Sequence, residues 1–288
     1  MTDRSSSPSP AALLVARAQA RMADGDAAGA ASLLDRALAA DAGDPEALFA
    51  RARIHLMAGE HADAQALLRR GRRSDPSSAP LAFLHGLCLH LLADARAAAG
   101  AFADALRLAP DHRDAALFLT RSLRAAGDAA ACRRARDDLL ARFGDDARLL
   151  NEVASDLIEE SDEPAAAALL ERAMALAPGT PEILHNLGVA CARMGLIETA
   201  EHLLRTALAS CSEARPESAA TRATLADVLR QRGRPDDAAA LARTLLAQGA
   251  QTARAHGVLG TIRMNERNHA DGVAHLAASH AAEPGSLP

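Results

Sequence analysis

This sequence predicts an all-α chain, a solenoid of eight 34-residue helix–turn–helix units, and three observations carry the prediction. Shifted by 34 residues against itself, the chain keeps one pattern of small and large side chains, plainest in 79–112, APLAFLHGLCLHLLADARAAAGAFADALRLAPDH. A fixed period of this length marks an architecture in which each unit packs only on its neighbours, so the 288 residues need not be divided into globular domains. Proline returns at one place in the unit, as Pro76, Pro110, Pro178 and Pro284, where it stops the second helix. Finally, Ala and Leu dominate an apolar content of 49%, without β-branched or aromatic runs and with no Trp or Tyr, a composition suited to helices and poor for strands.

The prolines set the register. Residues 1–10, MTDRSSSPSP, read as a disordered tail. The units run 11–44, 45–78, 79–112, 113–146, 147–180 and 181–214, then, after an insert at 215–218, 219–252 and 253–286. The eighth residue is small throughout: Ala18, Ala52, Gly86, Thr120, Ala154, Gly188, Ala226 and Gly260. So is the twentieth: Ala30, Ala64, Ala98, Cys132, Ala166, Ala200, Ala238 and Gly272. These two places are expected to face each other across a tight antiparallel helix pair, where bulk would push the axes apart. The fifteenth residue is Gly25, Gly59, Gly127, Gly195 or Gly233 in five units, the residue a helix C-terminus prefers before a short turn. The twenty-fourth is large and apolar in six, as Leu34, Leu68, Phe102, Leu170, Leu204 and Leu276.

Three departures carry expectations of their own. Repeat four has Arg136 at the large apolar place, so its second helix must pack through Ala135, Leu139, Leu140 and Phe143 and is expected to be a soft point. The insert within 211–218 makes 215–218 the expected hinge. The ends are polar: Arg17 and Arg21 stand where repeat four has Leu119 and Leu123, and the last helix carries His269, His275 and His280. Terminal units of a solenoid must meet water in this way.

On these residues the chain resembles the tetratricopeptide repeat (TPR) family, whose 34-residue unit has small residues at these places and Pro near its end. The family's Trp and Tyr positions hold Leu, Ala or Phe here. The resemblance implies a right-handed α-solenoid and a non-enzymatic scaffold or adaptor that holds a peptide or partner protein on the concave face lined by the first helix of each unit. It also implies that residues 2, 5, 6, 9, 12 and 13 of each unit point inward. In repeats two to four these include Phe49, Arg53, Phe83, Leu84, Leu87, His90, Leu117, Phe118, Arg121 and Arg124. They make an apolar, Arg-flanked trough suited to hydrophobic anchors with nearby carboxylates. For Phe49 and Phe83 the alternative is packing between adjacent first helices. Repeats five and six offer Asn151, Glu152, Ser155, Glu159, His185, Asn186 and Arg193, of which Asn186 alone sits at the asparagine-ladder place of the O-GlcNAc transferase repeats. The chaperone-tail clamp is not expected, because the ninth residues (Gln19, Arg53, Leu87, Arg121, Ser155, Val189, Asp227, Thr261) reproduce no such trio.

Other classes find little support. The net charge of −5 supplies no field for nucleic acid or an anionic membrane. All 32 basic residues are Arg, which GC-rich coding explains more simply than selection for carboxylate binding. Cys88, Cys132, Cys191 and Cys211 show no CxxC spacing and read as buried thiols of a reducing, cytoplasmic protein. No apolar run is long enough to cross a membrane. There is no GxGxxG, Walker loop, HExxH or GxSxG. The eleven His are scattered, and DLIEESDE (156–163) reads as a solvated helix face, so neither cofactor nor metal is expected. The alternative function is the substrate-recruiting arm of a larger bacterial enzyme (sulfotransferase, glycosyltransferase or iron-dependent oxygenase) whose chain continues past Pro288. Self-association through the end faces is a further possibility.

Overall fold

The computed structural model describes residues 9–210 and 216–283, and among these the secondary structure is sixteen α-helices and no strand. The chain divides into two compact units, Met1–Arg142 and Phe143–Pro288. The first holds α1 (Pro10–Ala23), α2 (Ala27–Ala40), α3 (Pro45–Met57), α4 (His61–Ser74), α5 (Ala79–Leu91), α6 (Ala95–Leu108), α7 (Arg113–Ala125) and α8 (Ala129–Phe143), which ends at the boundary. The second holds α9 (Ala147–Glu159), α10 (Glu163–Leu176), α11 (Pro181–Arg193), α12 (Ile197–Ser210), α13 (Pro216–Gln231), α14 (Pro235–Ala247), α15 (Thr252–Asn265) and α16 (His269–Ala282). Ser9 caps α1, so the expected tail of 1–10 is corrected at its end: residues 9 and 10 open the first helix, and 1–8 lie outside the described residues. Of the expected hinge, 215 lies outside the described residues and 216–218 form the start of α13, with Ser218 buried.

Within each unit first helices touch first helices, α1 to α3 to α5 to α7 and α9 to α11 to α13 to α15, so their side chains share one face. Short turns enforce the pairing. The residue at place fifteen is left-handed in all eight repeats: the five glycines and also Ala93 (φ 59°), Ser161 (φ 61°) and Arg267 (φ 61°). The next residue then sends its N–H back five residues, as Asp26 does to Arg21 and Asp94 to Leu89, which closes the helix end. That residue often caps the second helix too, as Asp26 accepts from the Gly29 N–H at 2.8 Å and Asp162 from that of Ala165 at 3.3 Å. A side chain in the left-handed region costs about 1–2 kcal/mol, against about 0.4–1 kcal/mol of extra unfolded-chain freedom for Gly. Ala93→Gly is therefore expected to stabilise its repeat by about 0.5–1 kcal/mol. A denaturant titration that shows no gain would contradict this account of the turn.

The small residues at places eight and twenty are buried and face each other as expected, a methyl on Gly188 lying 3.6 Å from the Ala200 carbonyl oxygen, and each also makes room for a larger side chain. A methyl group on Gly86 would lie 2.7 Å from the Phe102 ring; on Gly188 and Gly260 it would lie 2.8 Å from Leu204 and Leu276. Place eight is thus small to admit residue twenty-four of its own unit. Place twenty meets place eight and, in the last repeat, residue twelve as well. The Cys132 thiol donates to the carbonyl of Thr120 at 3.4 Å, whereas a methyl on Gly272 would lie 2.7 Å from Met264. In α8 the buried residues are Cys132 and Leu139, with Arg136 half-buried and its guanidinium 3.6 Å from the Cys132 sulfur. In α16 the buried residue is Gly272, leaving that helix largely in water. No described helix is long and apolar enough to cross a membrane.

Candidate functional site

In the first unit the aromatic residues separate into two groups with different roles. Phe102 is fully buried, and its ring stacks on Phe118 (centroids 5.6 Å apart) and tilts against Phe83 at 5.7 Å. Phe83 also packs on His112 at 4.4 Å, and Phe118 on His90 at 5.6 Å. This cluster joins α5, α6 and α7. Leu84 and Leu117, 8% and 2% exposed, are core residues, which corrects their placement in a groove. Leu87 is half-buried against two core clusters. Leu84 packs with Ala52, Ala64, Leu68, Leu81 and Cys88, while Phe102, larger than the Leu of most repeats, reaches across Gly86 and holds Phe83 and Phe118 half-buried against its own cluster. Arg121 lies over the Phe118 ring at 5.7 Å, and it, Arg124 and His90 are half-buried. Burial, then the charge of Arg121, pushes the His90 pKa down.

Phe49 and Arg53 differ from these. Phe49 is half-buried with the Arg53 guanidinium 5.9 Å from its ring centre, a cation–π distance. They line an open cavity of about 320 Å³ between the first two repeats, with Gln19, Met22, Ala50 and Met57. No acidic residue lines it, Arg53 is exposed, and Met57 is 76% exposed. Gln19 and Met22 are residues nine and twelve of repeat one and Met57 is residue thirteen of repeat two, inward places of the same pattern that gives Phe49 and Arg53.

In the second unit, Asn186 Nδ2 donates to Asn151 Oδ1 at 2.9 Å, joining α11 to α9. That bond uses neither the amide hydrogens of Asn151 nor the carbonyl oxygen of Asn186. A cavity of about 640 Å³ opens beside the pair, lined also by Arg148, Glu152, Thr180 and Glu182, with Glu152 3.3 Å from Arg148. It adjoins a smaller one of about 290 Å³ containing His185, Asn186 and Thr221. His185 Nδ1 is 3.1 Å from the Thr221 hydroxyl, and burial, then Arg254, lowers its pKa, so the ring is neutral at pH 7. Ser155 is half-buried and lines neither cavity. Arg148 and Glu182, second residues of their units, follow the inward pattern; Thr221, a third residue, does not, and nothing in the sequence pointed to it.

Paired antiparallel helices in a recurring register, with first helices sharing a face that holds open cavities, define a helical-repeat protein built to present a surface. The comparisons with known proteins sharpen this. Models of the tetratricopeptide repeat match residues 21–85, 179–248 and 223–286, and the chain is a tetratricopeptide repeat protein. No curated protein sequence matches it. Among solved structures it is similar to a chain of the APC/C hetero-tetramer Cut9–Hcn1 (17% identity, TM-score 0.61, covering 96% of this chain and 54% of that one). It is also similar to human IFIT1, in a dimer with m7Gppp-AAAA (16% identity, TM-score 0.59, covering 94% and 68%). A third is a tetratricopeptide repeat protein from Parabacteroides merdae (11% identity, TM-score 0.54, covering 95% and 93%). At these identities the likeness shows the fold. The chain spans about half the length of the Cut9–Hcn1 chain that it matches.

Proposed function

We propose that this protein is a non-enzymatic scaffold and that the trough of Phe49, Arg53 and Met57 holds a peptide segment of a partner protein. The observation that carries this is Met57, a large apolar side chain left in water beside a half-buried Phe and a cation with no acidic neighbour in the cavity. Covering such a surface is favourable, at about 25 cal/mol per Å² of apolar area. Two flexible methionines, Met22 and Met57, let the trough adapt to its anchor. The ligand implied is a peptide with one large apolar side chain and a carboxylate within reach of Arg53. The Asn151–Asn186 pair supports a second point of contact, with an extended backbone.

The human IFIT1 structure contains RNA, which makes nucleic acid the rival ligand. A net charge of −5 opposes it, since nucleic-acid affinity rests largely on neutralised phosphates. Selection from a displayed dodecapeptide library is expected to enrich acidic peptides with one Phe, Leu or Met. Arg53→Glu is expected to weaken the selected peptide by about tenfold or more, the value of a charge-assisted hydrogen bond, without moving the melting temperature. Enrichment of no peptide, or binders displaced by single-stranded RNA and indifferent to Arg53→Glu and Phe49→Ala, would refute the assignment.

A further inference from the structure

Repeat two departs from the other seven at places that meet across its helix turn. Its eleventh residue is His55, where the others have Arg21, Leu89, Leu123, Leu157, Cys191, Leu229 and Arg263. Its sixteenth is Glu60, one methylene longer than the Asp or Asn of five other repeats. Asp26, Asp94, Asp162 and Asn268 use that place to cap the second helix, but Glu60 makes no cap bond with α4. Its carboxylate instead lies 2.5 Å from His55 Nδ1. The nineteenth residue, Asp63, stands in the first turn of α4. The other repeats with Asp there, Asp237 and Asp271, have Leu229 with Arg234 and Arg263 with Asn268 at the two companion places. Repeat two alone therefore joins three metal-ligating side chains, and one ligand atom from each lies within 4.8 Å of the others.

We propose that His55, Glu60 and Asp63 form a binding site for a divalent transition-metal ion of the zinc type. The donor set, one imidazole nitrogen and two carboxylates, suits zinc and its neighbours better than calcium or magnesium, which prefer oxygen alone. Three protein ligands leave a fourth position for water. A tetrahedral ion with bonds of about 2.0–2.2 Å spaces its ligand atoms about 3.4 Å apart. The present spacing reaches this by rotating two exposed carboxylates while His55, 15% exposed against 54% for Glu60, stays in place. An ion pair alone is the ordinary use of these places, since Arg21 and Asp26 make one in repeat one. Arginine cannot ligate a metal, however, and repeat one has Gly29 where repeat two has Asp63. A bound ion would tie the end of α3 to the start of α4, at the helix N-terminus that Glu60 leaves uncapped.

The test is calorimetric titration of the whole chain with zinc chloride. It is made in a His256→Ala/His275→Ala background, because those rings, with Nδ1 atoms 2.9 Å apart, are the competing histidine pair. One equivalent of zinc is expected, with a rise in melting temperature and, for cobalt(II), the visible absorption of a tetrahedral site. Loss of a direct ligand should cost at least as much as loss of an outer partner, so His55→Ala and Asp63→Asn are each expected to weaken binding by about tenfold or more. Asp63→Asn alters only an exposed charge and keeps the fold as a control. No zinc uptake below millimolar concentration, or an affinity unchanged in either variant, would overturn the site.

Discussion

Glu201→Gln is expected to destabilise the second unit by about 2–3 kcal/mol at neutral pH, with the loss concentrated in α13–α16. The Glu201 side chain is 6% exposed on α12, yet three arginines reach it: Arg205 at 2.9 Å, Arg234 at 3.0 Å, and Arg232 in a closer contact still. Arg232 and Arg234 belong to the α13–α14 turn, so this carboxylate ties repeat six to repeat seven on either side of the insert. Glutamine keeps the shape but turns an N–H₂ group toward guanidinium donors in a buried place. The arginines, half in water, rehydrate, which holds the cost below the full penalty for a stranded buried ion. Burial raises the Glu201 carboxyl, and hydrogen bonds and charge from Arg232 and Arg205 outweigh it, leaving the pKa below the ordinary glutamate value. A depressed folded-state pKa means stability that is complete above the unfolded value of about 4.3 and is lost as pH falls through the folded value. The gap between native chain and variant should therefore be constant from pH 7 to about 5 and narrow in acid. Hydrogen exchange localises it: equal protection of α13–α16 in both proteins would show that the network holds nothing together.

Gly86→Ala should cost about 2 kcal/mol, although Ala is the better helix former by about 1 kcal/mol. The added methyl would sit 2.7, 2.8 and 3.0 Å from three carbons of the Phe102 ring, which cannot retreat because Phe83 and Phe118 hold it. Where place eight is Ala, place twenty-four is Leu in three repeats: Ala18 with Leu34, Ala52 with Leu68, and Ala154 with Leu170. Gly86→Ala combined with Phe102→Leu should accordingly recover most of the loss, a coupling that a double-mutant cycle by chemical denaturation would read. Additive losses would mean that the ring and the glycine are not one packing unit.

That pair also shows how far the chain could be read before its structure. Place eight was recognisable as small from its recurrence, but the partner it makes room for was not, because repetition reports that space is needed and not which side chain occupies it. The inward pattern named Phe49 and Arg53, which line an open trough, and equally Leu84 and Leu117, which the core absorbs, and Phe83 and Phe118, which pack half-buried on Phe102. The difference rests on which neighbours each side chain meets: Phe102 for the two rings, Leu68 and Leu81 for Leu84. Glu201 gave no signal at all: it is an acidic residue of α12 whose partners Arg232 and Arg234 come from the following repeat.

The sequence by itself determined the all-helical solenoid and its family, because helix periodicity, turn chemistry and a 34-residue recurrence are local properties repeated eight times. Only the tertiary structure decided which first-helix side chains remain available to a ligand, since that depends on the volume of residues on neighbouring helices. It likewise brought Asn151 to Asn186, a contact set by repeat-to-repeat packing that no single repeat contains, and turned His55 toward Glu60 and Asp63 across the turn of repeat two.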